Sequence, residues 1–240
     1  MKKTLLISVV ALLMAAVALV KVFVPCANNK AGESLNIEAV LKEHPEYVIN
    51  ALQAYEQKAR DEAEAQLKAL IKQNEAALNA NNAPVQGDAN SKIVMVEFYD
   101  YACGYCRRLF PELNKVIAEN SDVKVLYRPL AFVSPHSEYA ARAVLAASEQ
   151  GKFVELHTAL MTVQKPLSEA LVDELAGKAG IDVEKMKKDM KADKVNAAFE
   201  ANNTLAGNVQ IAGVPTLVIN GEMVAPAAAE IQAKINELKK

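Results

Sequence analysis

Two cysteines separated by two residues, Cys103 and Cys106, constrain this chain more than any other feature of its sequence. An apolar segment over residues 92–99 precedes them and predicts a mostly buried strand, and residues 107–117 follow them and predict a helix. Two cysteines at the start of a helix lie on one turn, so their sulfur atoms can reach disulfide distance with little movement of the backbone. The spacing therefore predicts a redox-active dithiol.

The start of a helix also predicts which of the two thiols reacts first. Free backbone N–H groups and a partial positive charge at a helix N-terminus favour a thiolate, and a thiolate is the nucleophile of thiol–disulfide exchange. We therefore predict that Cys103 attacks and that Cys106 resolves. Arg107 and Arg108 add positive charge nearby, although a solvated first turn is the alternative interpretation of these two arginines.

Two other interpretations of the cysteine pair are weaker. A structural zinc site needs about four ligands, and the other candidates, Cys26, His44, His136 and His157, form no second close pair. A purely structural disulfide that closes so small a ring adds little chain-entropy stabilisation. The sequence therefore predicts no metal and no cofactor.

Glu97 is a candidate for proton transfer, because it lies in the otherwise apolar strand before the cysteines. A buried carboxylate at this position would have a raised pKa and could relay a proton to or from Cys106. The alternative is a glutamate at the edge of the sheet with no role. Further along the chain, Pro215 stands at the entry to a second apolar strand, where proline is common.

Residues 97–106, Pro111 and the sequence Val214-Pro215-Thr216 together resemble the thioredoxin superfamily, and within it the DsbA-type thiol–disulfide oxidoreductases of the bacterial envelope. The resemblance covers about residues 87–240. It implies an α/β thioredoxin fold with a helical insertion at about residues 134–206. It also implies a cis Val214–Pro215 bond that faces the cysteines.

The same resemblance implies how a substrate binds, since in this family the loop around the cis-proline supplies backbone groups to the substrate strand. We accordingly predict Val214, Pro215, Tyr105 and Gly104 as substrate-binding residues. The dipeptide Gly104-Tyr105 differs from the Pro-His of the best-known DsbA proteins. The oxidising strength of those proteins therefore does not transfer to this chain.

Helices are predicted for most of the remaining catalytic domain, which we place at residues 92–240. The sequence predicts an N-cap at Ser134 with Pro135 at the first helical position. Further helices are predicted over residues 152–163, 168–176, 182–205 and 227–238. Asn220-Gly221 predicts the turn of a β-hairpin.

An α-helical N-terminal extension precedes that domain. A short helix is predicted over residues 36–43 and a long one over residues 45–80, with a narrow apolar stripe. This extension, like residues 98–107, resembles the oligomeric ScsC-like proteins. We predict a helical oligomerisation region over residues 27–82, with self-association as a dimer or trimer through residues 33–80, and a linker over residues 83–91. The alternative is a helix that folds back onto its own domain.

The first 26 residues predict export. Lys2 and Lys3 precede an apolar run, which is typical of a signal peptide. The run is also long enough for an uncleaved membrane anchor, and Cys26 offers a site for lipid attachment. All three interpretations place the body of the protein in the periplasm or at the outer face of the bacterial inner membrane.

These observations predict an enzyme that oxidises or isomerises disulfides in exported, cysteine-containing proteins, with a membrane redox partner of unknown type. The alternative is a copper-binding or structural envelope protein or lipoprotein that uses Cys103 and Cys106 as soft metal ligands. The net charge of −2 and the absence of tryptophan argue against a nucleic-acid partner.

Overall fold

The computed structural model describes residues 36–80, 82–88 and 90–240. The predicted signal or anchor over residues 1–26, with the candidate lipidation site Cys26, lies outside this description. The chain forms two compact units, and the boundary between them falls between Lys58 and Ala59. Within the described ranges, the structure contains no helix whose length and apolar character would suit a membrane span.

The N-terminal extension is helical, as predicted. Helix α1 (Ile37–Glu43) begins after Asn36, whose side chain accepts a hydrogen bond from the backbone N–H of Ala39 at 3.2 Å. Helix α2 (Glu46–Gln73) is 28 residues long, and the short helix α3 (Glu75–Leu78) follows it.

The helix predicted over residues 45–80 is therefore interrupted at Asn74. The Asn74 side chain donates a hydrogen bond to the Leu70 carbonyl at 2.9 Å. Asparagine competes in this way with the regular backbone hydrogen bonds of a helix, which explains a break at this position.

Five strands form one sheet in the order β1-β3-β2-β4-β5. Strands β2 and β3 are parallel and the other pairs are antiparallel, and helix α4 (Gly104–Glu119) joins β2 to β3 as the predicted βαβ unit. Strands β4 and β5 form the predicted hairpin. The strands are β1 (Val85–Gln86), β2 (Ile93–Tyr99), β3 (Val123–Pro129), β4 (Thr216–Ile219) and β5 (Glu222–Val224).

The segment predicted as a linker, residues 83–91, contributes strand β1 to this sheet. Val85 lies opposite Leu126 and Gln86 lies opposite Val125 in β3. The side chain of Gln86 also accepts a hydrogen bond from the Tyr127 hydroxyl at 2.8 Å. The sequence offered no alternating pattern long enough to predict a strand of two residues.

Five helices fill the insertion between β3 and β4, and helix α10 (Ala228–Leu238) follows the hairpin. This α/β arrangement confirms the predicted thioredoxin fold with a helical insertion. The five helices are α5 (Ser137–Ser148), α6 (Phe153–Thr162), α7 (Glu169–Lys178), α8 (Val183–Asp189) and α9 (Asp193–Asn208).

The helix predicted over residues 182–205 is in fact two helices, α8 and α9. Met190 and Val195 both lie in the buried core. Five residues of a continuous α-helix would rotate them about 140° apart, so the turn between the two helices lets both side chains reach the core.

The start of α5 also differs from the prediction, since the helix begins at Ser137 rather than directly after Ser134. The Ser137 hydroxyl donates a hydrogen bond to Asp100 at 2.8 Å. This buried contact fixes where the helix starts, and Ser134 and Pro135 form the preceding turn.

The central strand β2 is buried on both faces. Its residues Met95 and Tyr99 pack in one apolar cluster with the cysteines and helix α4. Its residues Val96 and Phe98 pack in a second cluster, which includes Ile71 of α2 and Leu78 of α3. The C-terminal part of the predicted apolar stripe therefore folds back onto the sheet.

Arg128 holds the end of α3 against strand β3. Its side chain is 1% exposed, and burial lowers its pKa to about 10. All five acceptors of its hydrogen bonds are uncharged, at 2.6 to 3.2 Å: the carbonyl oxygens of Ala77, Leu78 and Ala80 and the side-chain oxygens of Asn82 and Asn202.

Replacement of Arg128 by leucine should lower the free energy of unfolding by about 3 kcal/mol, because it leaves buried carbonyl oxygens without a donor. Urea denaturation of the full chain measures this loss. Lys115→Ala is the matched control, since the Lys115 side chain is 76% exposed and its replacement should cost less than about 0.5 kcal/mol. Equal midpoints for Arg128→Leu and wild type would contradict the assignment.

Candidate active site

The first turn of helix α4 positions Cys103. Cys103 is the N-cap, and its backbone is extended, with φ −74° and ψ 116°. Its Sγ accepts a hydrogen bond from the backbone N–H of Cys106 at 3.5 Å, and its own N–H donates to the Asp100 carbonyl at 3.0 Å. Both thiols are free. The sequence places the sulfur of Cys103 at the positive end of the helix because the helix begins at Gly104.

The loop before β4 lies against the same sulfur. The Val214–Pro215 peptide bond is cis, as the resemblance implied. The thiol of Cys103 donates a hydrogen bond to the Val214 carbonyl at 3.3 Å. The fold therefore brings together two predicted site elements that lie far apart in the sequence.

Cys106 is completely buried below Cys103. Burial strongly raises the pKa of its thiol, and the nearby Cys103 and Glu97 raise that pKa further, while a hydrogen bond with the Asp100 backbone opposes the shift. Cys106 is therefore a protonated thiol in the reduced protein at neutral pH. Cys103 keeps 6% of its surface exposed whereas Cys106 keeps none, which fits the predicted roles of an attacking Cys103 and a resolving Cys106.

Glu97 lies in the middle of the sheet and not at its edge. It is 2% exposed and lies opposite Tyr127 in β3 and Leu217 in β4. Because side chains alternate along a strand, Glu97 shares the face of Met95 and Tyr99, which helix α4 covers. Burial raises the pKa of Glu97 to about 8, so its carboxyl group changes protonation near neutral pH.

Asp100 is a residue that the sequence analysis did not single out. Its Oδ1 accepts hydrogen bonds from the Ala102 N–H at 2.7 Å and the Ser137 hydroxyl at 2.8 Å. Its Oδ2 accepts from the N–H groups of Phe132 and Val133 at 2.7 and 2.9 Å. The carboxylate thus ties the cysteine loop to the loop after β3. An aspartate directly between a strand and the cysteines was the signal that could have indicated this role.

His157, considered above as a zinc ligand, lies in an aromatic core instead. Its Nδ1 is 2.9 Å from the Tyr101 hydroxyl, which is 3.0 Å from the Tyr99 hydroxyl. The rings of Phe110 and Phe153 also pack against it. Burial lowers the pKa of His157 to about 3, so the imidazole is neutral. In the described part of the chain, no three His, Cys, Asp or Glu side chains are placed to hold a metal ion.

The two arginines after the cysteines differ in role. Arg107 is half-buried, and its guanidinium donates hydrogen bonds to the carbonyl oxygens of Tyr101 at 2.7 Å and Val163 at 3.1 Å. It therefore fixes the first turn of α4 and is not a solvated residue. The Arg108 guanidinium lies 4.3 Å from the centre of the Tyr105 ring, which is 70% exposed.

A groove of about 770 Å³ opens beside the reactive cysteine. Three of the four predicted substrate-binding residues, Tyr105, Val214 and Pro215, line this groove, while Gly104 is exposed next to it. The groove also has walls from other elements that the sequence did not associate with the site. These additional lining residues include Leu67, Arg108, Leu109, Glu112, Met223 and Ala227.

Comparison with known proteins identifies the family. The sequence model of the DSBA-like thioredoxin domain matches residues 94–233, which is more than half of the chain, and the chain therefore belongs to this family. A solved thioredoxin-like oxidoreductase from Silicibacter pomeroyi is 32% identical, with a TM-score of 0.66, and the match covers 69% of this chain and 98% of that one.

Two further relatives match different shares of this chain. A linker-deletion variant of Proteus mirabilis ScsC is 26% identical with a TM-score of 0.69, and the match covers 89% of this chain and 100% of that one. The Na(+)/H(+) antiporter NhaA 3 of Salinispora tropica is 30% identical over 140 residues, which are 57% of this chain. This chain spans only about a fifth of the length of that curated relative, 21%.

These comparisons confirm the predicted resemblance to DsbA-type and ScsC-like proteins. They also support the predicted enzyme class, a disulfide oxidoreductase.

Glu97 should make the stability of the reduced protein fall as pH rises. The folded protein keeps the Glu97 proton up to about pH 8, whereas the unfolded chain releases it near the ordinary value of 4.5. The folded state therefore binds more protons between these values, and stability decreases through that window. Replacement of Glu97 by glutamine should remove this loss of unfolding free energy, which is on the order of 2–4 kcal/mol.

Urea denaturation of the reduced proteins between pH 5 and pH 8.5 measures this effect. Below pH 6.5, the ordinary pKa of histidine, buried His157 makes the stability rise with pH instead. This contribution is the same in wild type and in Glu97→Gln. The difference between the two proteins therefore reports on Glu97. Glu230→Gln, an exposed change in α10, is the control. Parallel pH curves for wild type and Glu97→Gln would contradict the assignment.

Proposed function

We propose that this member of the DSBA-like thioredoxin domain family oxidises and isomerises disulfides in exported proteins through Cys103 and Cys106. The observation that carries the proposal is the position of the Cys103 sulfur, at the start of α4 and 3.3 Å from the Val214 carbonyl. The second thiol, Cys106, is buried directly behind it. A client can therefore reach one sulfur of the pair and not the other.

In the oxidising direction, a client thiolate attacks Cys103 Sγ of the Cys103–Cys106 disulfide. The S–S bond breaks, a mixed disulfide forms with the client, and Cys106 leaves as a thiolate. A second client thiolate then attacks the client sulfur of the mixed disulfide and releases Cys103. Two electrons pass from the client to the enzyme, which ends as a dithiol, and a membrane redox partner of unknown type would reoxidise it.

Glu97 acts on the leaving thiolate in this scheme. Because Cys106 is buried, its thiolate form is high in free energy until it is protonated. Protonated Glu97 can supply that proton, directly or through a water molecule, because its pKa of about 8 keeps a proton available at neutral pH. The same group accepts the proton when Cys106 attacks in the reverse direction.

In the isomerising direction, the Cys103 thiolate attacks a wrong disulfide of the client. The released client thiolate then attacks another disulfide of the same chain, and a final client thiolate displaces Cys103. No net electrons are transferred, so this direction requires only that the enzyme is kept reduced.

Export places such an enzyme where its clients are. Residues 1–26 predict a signal peptide, an anchor or a lipid site, and disulfides form and persist outside the bacterial cytoplasm. We therefore propose a location in the periplasm or at the outer face of the inner membrane, with exported proteins as clients.

Self-association through the N-terminal helices is part of the proposal. Val48, Ile49, Leu52 and Tyr55 are between 52% and 72% exposed. These apolar side chains lie on α2 before the boundary at Lys58. A second copy of the helix would remove them from water.

Replacement of either cysteine by serine tests the chemistry. With oxidised protein and reduced ribonuclease as the client, Cys103→Ser should lower the oxidation rate by about three orders of magnitude, because it removes the attacked sulfur. Reduced Cys106→Ser, mixed with scrambled ribonuclease, should instead accumulate a Cys103–client mixed disulfide, because Cys103 breaks a client disulfide and no second enzyme thiol displaces the client. Nonreducing electrophoresis detects this species. Wild type that binds copper(I) and exchanges no disulfide would favour the copper-binding alternative instead.

Charges placed in the apolar stripe test the self-association. Leu52→Glu with Tyr55→Glu should convert a micromolar solution of the oligomer to monomers in analytical ultracentrifugation. Asn50→Glu with Ala54→Glu, on the opposite side of the helix, should leave the oligomer intact. Recovery of scrambled ribonuclease should fall in the first variant only. A wild-type chain that sediments as a monomer would refute the assembly.

A further inference from the structure

We propose that helix α2 forms one wall of the client groove and that Leu67 is a specificity-determining residue, which selects client segments with an apolar side chain near the reacting cysteine. The inference rests on the proposed function, since it concerns how that function selects its clients. It differs from the expected contacts at the cis-proline loop, because Leu67 belongs to the N-terminal extension.

The groove shares a lining residue with the contacts of the Cys103 sulfur. Val214 and Pro215 line it, and the Val214 carbonyl is 3.3 Å from Cys103 Sγ. A client whose cysteine reaches Cys103 must therefore place its neighbouring residues at or near the groove. Three residues of an extended chain span about 10 Å, so these neighbours can reach the groove walls.

The wall that faces the client chain is apolar. Leu67 and Met223 line the groove from α2 and β5, and Leu109 lines it from the cysteine helix. Met223 is exposed and Leu67 is half-buried, so both have surface to offer. Charged residues of the groove, Arg108 and Glu112, come from α4 and are exposed. This composition favours an apolar client side chain over a charged one.

The α2 wall is held in place by contacts outside the groove. Ile71, one turn after Leu67, is 1% exposed, and Leu78 is 2% exposed. Both pack with Val96 and Phe98 of the central strand. Arg128 binds the carbonyl oxygens at the end of α3. Leu67 is thus a preorganised part of the site, which reduces the entropy that a client must lose on binding.

A second cavity supports this placement. Leu67 and Met223 also line an adjoining space of about 240 Å³, together with Lys68, Ile71 and Glu222. The two side chains therefore separate two cavities, and neither is enclosed by neighbours on the groove side. A client side chain inserted from the groove would cover them.

The experiment uses the full-length Cys106→Ser variant, carrying glutathione on Cys103, and two series of peptides that each contain one cysteine. One series places a leucine, and the other a glycine, at one of the three positions before or after the cysteine. Stopped-flow measurement of mixed-disulfide formation, with the Cys106→Ser variant charged at Cys103 with glutathione, gives a rate constant for each peptide. We expect at least one position at which leucine reacts about tenfold faster than glycine.

Leu67→Asp should reduce that preference to less than about twofold, because it removes the apolar surface that the leucine of the peptide would contact. Leu67→Met keeps an apolar side chain of similar size and should preserve the preference. Ile71→Val loosens the packing behind the wall without touching the groove lining, so it controls for an indirect effect on helix docking. Lys68→Ala, on the same turn, should behave as wild type.

The outcomes separate this inference from the proposed function. If the protein that carries glutathione on Cys103 forms a mixed disulfide with none of the peptides, the proposed function fails. If it reacts with the peptides and shows no preference for leucine, or if Leu67→Asp keeps the full preference, the role of Leu67 is refuted while the oxidoreductase function stands. If Ile71→Val abolishes the preference as completely as Leu67→Asp, docking of the helix and not the Leu67 side chain determines it, which also overturns the proposal.

Discussion

Burial of strand β2 on both faces is the constraint on which the rest of the structure depends. Because side chains alternate along a strand, Met95, Glu97 and Tyr99 face the cysteine helix, while Val96 and Phe98 face the ends of α2 and α3. The first face needs helix α4, which brings the cysteines. The second face needs a cover too, and the N-terminal extension supplies it. The part of the extension after Lys58 is therefore in the same compact unit as the sheet.

The same burial sets the chemistry of the dithiol. Glu97 and Cys106 are both removed from water, and a negative charge on Glu97 disfavours one on Cys106. A thiolate on Cys106 is thus tolerated best when Glu97 is neutral, which links the breaking of the S–S bond to the position of one proton. Asp100, only three residues from Glu97, accepts four hydrogen bonds. Environment therefore keeps a proton on one carboxyl group near neutral pH and makes the other a hydrogen-bond acceptor.

The local parts of this site were predictable from the sequence, and the long-range parts were not. Spacing alone indicated that Cys103 and Cys106 begin a helix after a buried strand, and Asn220-Gly221 indicated the hairpin. The cis bond at Pro215 followed only from the family resemblance. The partners of Arg128 lie 46 to 74 residues away, and three of the four donors to Asp100 lie 32 to 37 residues away. No local periodicity encodes such contacts. The break between α8 and α9 also follows from core packing, which overrides helix propensity.

Helix α2 changes in burial along its length. Before Lys58 its apolar side chains, such as Leu52 and Tyr55, are exposed, whereas after Ala59 Leu67 and Ile71 are half-buried or buried. Continuous apolar periodicity along one helix suggested a single interface, but Leu67 and Ile71 show that the stripe packs against the sheet near its C-terminal end. A substitution in the first part should alter association alone, and one in the second part should alter stability or client selection. Association and client selection are therefore properties that evolution could change independently within this one helix.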